Sequence, residues 1–194
     1  MPSVRVVSLA SGSSGNALLI DAGHTRLLID AGISARRIEV ALARLGVAAA
    51  TLDGVLLTHE HSDHVTGLAV LCRRHGLPCA LTAGTAARLP REAGVARRLV
   101  RRGESFGMGR ATVTALPVRH DAAEPVGYVV EVGGATVAVL TDLGCPEPHL
   151  REPLRRADLI VLEANHDLDR LWGGRYPWPL KQRVAGDDGH LCND

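Results

Sequence analysis

The stretch LTHEHSDH, residues 57–64, sets three histidines and two acids directly behind the short apolar run LDGVLLT (52–58). On an extended segment, residues two apart share a face, so His59 and His61 can grip one ion together. Asp63 and His64 fall on the turn into the next helical segment and can reach a second ion. Imidazole suits zinc, and a carboxylate also admits harder ions such as manganese. The same residues could be surface histidines on a loop, but the strand before them and the helix after them give the ligand pattern its expected setting.

The flanking sequence builds that setting. VRVVSLA (4–10) reads as a strand, SGSSGN (11–16) as turn material, and ALLIDAG and TRLLIDAG as two further strands. Ser34 can cap a helix running to about Leu45, with Gly46 as its stop. HVTGLAVLCRRHG (64–76) has helical spacing, PCALTA reads as a strand and GTAARLPREAG as a helix. ATVTALPVRH (111–120) is a strand, and VGYVVEVGGATVAVLTD (126–142) is a hairpin turning at Gly133-Gly134. A helix near 147–156 and the strand DLIVLEA (158–164) follow, and the remaining sequence is polar with Trp and Pro. Paired strands that then alternate with helices suit a layered α/β sandwich with helices outside two sheets.

Composition narrows the class. Apolar residues make up 46% and charged residues 22%, a globular balance, while aromatics are only 3%, leaving Leu, Val, Ile and Ala to form the core. A net charge of +1 gives no global field toward nucleic acid or membrane, so such binding needs a local patch. No apolar run approaches membrane-spanning length, and the N-terminus lacks the pattern of a signal peptide. Cysteines at 72, 79, 145 and 192 form no C-x-x-C pair, which favours a reducing cytoplasm over a disulfide framework or a zinc ribbon.

Four ligands do not close a two-ion site. His120 ends one strand and Asp142 another. Each alone reads as a cap or a surface residue, but in order behind the cluster they become a third ligand and a bridging carboxylate. With THEHSDH, RHDAAEPVGY and LTDLG in succession, the chain resembles the metallo-β-lactamase fold superfamily. SLASGSSGN (8–16), LEANHD (162–167), YPWPLKQRVAG (176–186) and GHLCN (189–193) resemble its WalJ/YycJ-type branch, related at the site to RNase Z.

The resemblance implies a four-layer αββα sandwich over one domain, 1–194, and a metal-dependent phosphodiesterase, a cytoplasmic 5′–3′ DNA exonuclease. It implies two divalent ions, zinc first and manganese second, held by His59, His61, Asp63, His64, His120 and Asp142, with Asp30 bracing the cluster. A water acidified between the ions would be the nucleophile, with Asp63 orienting it and His190 protonating the leaving oxygen. His190 read without the family would be a capping residue. Relatives of this type continue past GHLCN to a helix, a strand and a final histidine at the second metal position, so the chain is expected to be C-terminally incomplete and a weak catalyst, with His166 a possible substitute. Two alternatives stand beside this reading. One is hydrolysis of a small ester, thioester or lactam on the same site, since fold alone does not choose chemistry. The other is a non-catalytic form binding metal and nucleic acid.

Two further stretches bear on nucleic acid. SGSSGN offers backbone N–H groups to a phosphate, or is a plain turn. Arg175, Lys181 and Arg183 beside Trp172, Tyr176 and Trp178 suit a single-stranded end. RRLVRR (97–102) is a second basic run, of the kind that more often marks a solvated face.

Overall fold

The alternation of side chains along the central strands explains the layering. In the computed structural model, which describes residues 4–91 and 94–194, β3 (Arg26–Ile29) sends Leu28 to one apolar cluster and Leu27 and Ile29 to another. In β2 (Ala17–Asp21) Leu19 and Ile20 divide in the same way, and Leu56 of β4 (Gly54–Leu56) faces away from Val55 and Leu57. Strands apolar on both faces have to be covered on both.

These strands belong to a six-stranded sheet in the order β1-β2-β3-β4-β5-β6. β1 (Arg5–Ala10), β2 and β3 are antiparallel, whereas β4, β5 (Cys79–Thr82) and β6 (Arg97–Val100) continue from β3 in parallel. Outside it pack α1 (Ala35–Arg44) and α3 (Leu68–His75), through Ile38, Leu42, Leu71 and Cys72. Ser34 caps α1 by accepting from the Arg37 N–H, as its sequence position suggests.

The second sheet has five strands, ordered β11-β10-β9-β8-β7. β7 (Ser105–Met108), β8 (Ala111–Pro117), β9 (Val126–Val132) and β10 (Ala135–Leu140) are antiparallel, and β11 (Leu159–Leu162) joins β10 in parallel. Phe106, Val113, Tyr128, Val130 and Val139 close the core between the sheets. α5 (Arg151–Arg156), entered through a 3₁₀ turn at Pro148–Leu150, covers the outer face at Leu140, Leu143 and Leu150. The layers are therefore helix, sheet, sheet, helix, the αββα order expected. At the outer edge, β11 leaves Leu159, Ile160 and Leu162 half exposed.

Several elements differ from expectation. The helix expected over 64–76 is two: α2 (Ser62–Val65) ends, Gly67 intervenes, and α3 begins. Gly67 is required there because a Cβ would lie 2.2 Å from the Ile33 carbonyl oxygen. The helix expected at 84–94 is α4 (Ala83–Arg88); the part of it at 92–93 lies outside the described residues. RRLVRR is strand β6 in the main, pairing with β5. Its Arg98 lies over the Phe106 ring at 4.8 Å, and Arg97 donates to the Ala86 and Pro90 carbonyls. These arginines finish a sheet edge, which charged side chains protect from further pairing. The polar tail contains α6 (Leu168–Gly173) and α7 (Trp178–Ala185). No helix among the described residues is long and apolar enough to cross a membrane.

Candidate metal centre

The strand ends converge at one end of the two sheets. His59 and His61 leave β4 on extended chain, His61 stands at the N-terminal boundary of α2 without a side-chain cap bond, and His64 lies within that short helix. From the second sheet, His120 follows β8 and Asp142 follows β10. Ligand atoms of His59, His61 and His120 lie within 4.8 Å of one another, as do those of His59, His64 and Asp142, and those of His120, Asp142 and His190. Asp63 stands at the rim, with a carboxylate oxygen 3.6 Å from His64 Nε2. It belongs to none of those three sets.

The backbone is shaped to present these groups. Asp30, just after β3, and Asp142, just after β10, adopt left-handed φ values of 59° and 54°. Such values are uncommon for residues other than glycine and gather at functional sites. Asp30 is buried and accepts from the Thr58 N–H at 2.9 Å, and its other oxygen lies 2.8 Å from His64 Nδ1. It therefore fixes both the metal-loop backbone and the orientation of an imidazole, the bracing role expected of it. Gly32 allows the loop after β3 to lie against α2, since a Cβ there would be 1.6 Å from the Asp63 carbonyl oxygen. Backbone bonds from Asn16 N–H to the Asp63 carbonyl (2.7 Å) and from Ala31 N–H to the His64 carbonyl (2.9 Å) complete that junction.

Burial and neighbouring charge set His59, His120 and His64 apart from one another. Burial pushes His59 down to about 2, and the neighbouring His64 adds to the shift. His59 Nδ1 lies 3.0 Å from the Thr58 hydroxyl, while its buried Nε2 has no hydrogen-bond partner. A neutral imidazole with an orphaned nitrogen, packed against the rings of His61, His64 and His120, is a costly arrangement without a cation to accept its lone pair. Burial also lowers His120, which donates from Nδ1 to the Gly189 carbonyl at 3.0 Å and turns Nε2 toward His61 Nδ1 at 3.3 Å. Burial opposes charge on His64, but Asp30 and then Asp142 overcome it and raise its pKa to about 10. His64 Nε2 is 3.1 Å from Asp142. A cation between them would take the place of that proton. On these observations the residues fit divalent metal.

Three contributors carry no signal of their own in the sequence. Asn16 places its amide nitrogen 3.1 Å from His64 Nε2 and 3.4 Å from the Asp63 carboxylate. Glu163 accepts from the Leu143 N–H at 2.5 Å and the Leu191 N–H at 3.1 Å, and lies 2.9 Å from His190 Nδ1. Burial lowers His190, but the hydrogen bond and charge of Glu163 outweigh it and hold the ring above the usual histidine range. Asp121 sits 3.3 Å from His120 Nε2 and pairs with Arg183. Asn16 and Glu163 do lie inside SGSSGN and LEANHD, the stretches singled out for a loop and for a family pattern.

The basic and aromatic cluster of the tail is arranged differently from the expectation. Lys181 is buried, its ammonium donating to the Trp172 carbonyl at 2.6 Å, so it closes the end of α6. Arg183 is taken by Asp121. Trp172 and Trp178 pack together with ring centroids 5.4 Å apart, and with Tyr176 they stay substantially exposed.

The model of the β-lactamase superfamily domain matches residues 25–191. The chain is 35% identical to exodeoxyribonuclease YycJ of Bacillus anthracis over 193 residues, covering 96% of this chain and 72% of that protein. It is 34% identical to exodeoxyribonuclease WalJ of Streptococcus pneumoniae, with 96% and 71% covered. A ribonuclease Z of Bradyrhizobium diazoefficiens is 28% identical, with 79% and 57% covered. Among solved structures, the metallo-β-lactamase fold protein YhfI from Bacillus subtilis superposes with a TM-score of 0.67 at 22% identity, covering 83% of this chain and 71% of that one. With its αββα layers and a histidine–aspartate cluster gathered from both sheets, the chain belongs to the β-lactamase superfamily of metal-dependent hydrolases and has the metallo-β-lactamase fold.

Proposed function

We propose that the protein is a phosphodiesterase that degrades DNA from a 5′ end, working in the cytoplasm with two divalent ions, zinc by preference. The observation that carries this reading is the pairing of Glu163 with His190 beside Asp142. His190 Nδ1 is 2.9 Å from Glu163 and 3.4 Å from Asp142, within a cluster otherwise made of metal-type ligands. Phosphodiester cleavage must protonate a departing alkoxide. A ring fixed through Nδ1 has Nε2 free to deliver that proton. The names of the relatives at 34–35% identity support DNA as substrate. Four free thiols, two of them buried, support the cytoplasmic setting.

His59, His61 and His120 would hold one ion, and Asp63 and His64 the other, with Asp142 shared between them. Bound there, the ions supply Lewis acidity toward the phosphoryl oxygens and acidify water near neutral pH. Asp63, at the rim and reached by the Asn16 amide, would orient the attacking water. Asp30 holds His64 through Nδ1, so that Nε2 faces Asp142.

Linear DNA with 5′ ends should be degraded with zinc or manganese and left intact with chelator, and His61→Ala should abolish the reaction without unfolding the chain. Cleavage of a thioester with complete inertness toward DNA would move the assignment to small-ester hydrolysis.

A further inference from the structure

Beside the edge strand β6 runs a groove of about 750 Å³. Ala83, Ala86 and Ala87 of α4 line it, with Leu89, Val95 and Leu99. Leu99 is 59% exposed. Strand alternation accounts for that exposure. Val100 turns into the core between the sheets and Arg98 onto the Phe106 ring, so Arg97 and Leu99 face the other way, along α4. A smaller cavity of about 170 Å³ adjoins the groove, sharing Leu89, Val95 and Arg97 with it. Its wall reaches the buried Leu68, Cys79 and Leu81, and it has room for one large apolar side chain.

The charged residues of both linings are Arg91 and Arg97, and no carboxylate lines either cavity. Arg97 donates to the Ala86 and Pro90 carbonyls, which leaves its charge without an acid and further N–H donors of its guanidinium for a ligand. Arg91 is exposed, and among the described residues no acid pairs with it. Residues 83–102 hold six arginines and one glutamate, a local charge of +5 in a chain of +1. Complementarity therefore asks for an acidic partner, and the aliphatic walls ask for apolar side chains. Nucleic acid meets the first demand and not the second, because no aromatic residue lines either cavity to stack a base. A second copy of this chain in a twofold contact would set the same arginines against each other.

We propose that this groove docks an extended acidic segment of a partner protein. One large apolar side chain of the segment fills the smaller cavity, others lie on Leu99 and the alanines of α4, and its carboxylates meet Arg91 and Arg97. The alternation of an extended chain serves this arrangement, since it can turn apolar side chains to the walls and acids to the rim. The surface lies apart from the strand ends that carry the histidine–aspartate cluster, and the proposal does not depend on the phosphodiesterase reading. Val65 and Thr66, in the wall of the smaller cavity, directly follow Asp63 and His64 in the chain, so zinc content belongs among the controls.

The test is fluorescence anisotropy with the full zinc-loaded chain and three fluorescein-labelled octapeptides, alternating aspartate with leucine, aspartate with alanine, and lysine with leucine. The aspartate–leucine peptide should bind roughly tenfold more tightly than either control, since each control lacks one of the two demands. Arg91→Glu, which turns attraction into repulsion at an exposed site, should weaken it roughly fivefold, and Arg91→Lys should retain it. Leu99→Ser should weaken it by a similar factor. Both positions are exposed, so melting temperature and zinc content should stay as in the wild type. Equal binding of the three peptides, or none, would overturn the proposal, as would an affinity that either Arg91→Glu or Leu99→Ser leaves unchanged. A dimer in sedimentation velocity that Leu99→Ser dissociates would give the groove to a second copy instead. A labelled thymidylate strand whose binding falls in Arg91→Glu, with no peptide bound, would give it to nucleic acid.

Discussion

Asp30 touches no proposed substrate, yet much of the site turns on it. Its two oxygens hold the Thr58 backbone and His64 Nδ1. Asp30→Asn should keep the fold and weaken zinc binding by roughly 10–100-fold, the usual effect of losing a group that orients a ligand, read by competition with a chromophoric chelator. A second carboxylate gives a pH prediction remote from the site. Burial alone would raise Asp21, but hydrogen bonds from Arg5 and Gly23 and the charge of Arg26 outweigh it and lower its pKa. A lowered folded pKa adds stability that is present above the ordinary carboxylate value and is lost as pH falls through the folded one. The urea midpoint should therefore drop on acidification below about pH 4, and Asp21→Asn should be less stable at pH 7 with a flatter acid limb. The histidines were legible because metal binding demands their spacing and their place at strand ends. Asn16 and Glu163 were not, because a lone amide or carboxylate in a turn has many ordinary roles and only the tertiary contact assigns one.

The connections between elements fix the metal loop more than the elements themselves do. Gly32→Ala would drive a Cβ to 1.6 Å from the Asp63 carbonyl oxygen, against backbone on both sides. It should part the loop after β3 from α2, with loss of metal retained through gel filtration and a markedly lower melting temperature. The same change at Gly46, whose Cβ would meet nothing within 4 Å, carries only the strain of its φ of 74° and should leave metal content unaltered. Tyr128 of β9 is fully buried and donates to the Leu57 carbonyl at 2.7 Å, tying the second sheet to the chain just before His59. Tyr128→Phe leaves that carbonyl unpaired and should cost about 1–3 kcal/mol in chemical denaturation. The strands of the first sheet were readable as apolar runs between turn residues. β6 and β7 were not: β6 reads as a basic run because its arginines cover a sheet edge, and β7 alternates around Gly107 with only Phe106 and Met108 buried. α6 and α7 were hidden by the Pro and Trp content of the tail, where Pro177 precedes the first turn of α7 and Pro179 lies within it.

At the scale of the molecule, two sheets with separate outer cores and one shared inner core bring strand ends from both halves to a common edge. That arrangement explains why His59, His120 and Asp142, far apart in sequence, fall in overlapping sets of side chains whose candidate ligand atoms lie within 4.8 Å of one another. The layer order was legible because paired strands that then alternate with helices suit two sheets with helices outside them. The depth of the His59 site was not, since a sequence does not reveal an orphaned nitrogen. The central claim is that this cluster holds divalent ions and that they power phosphodiester cleavage. Its most direct test is the initial rate of bis-p-nitrophenyl phosphate hydrolysis by chelator-stripped protein as zinc is added back. The account predicts no rate when stripped and a rise to saturation with zinc, absent throughout in His61→Ala. Hydrolysis that persists after stripping, or a rate that stays flat as zinc binds, would contradict it.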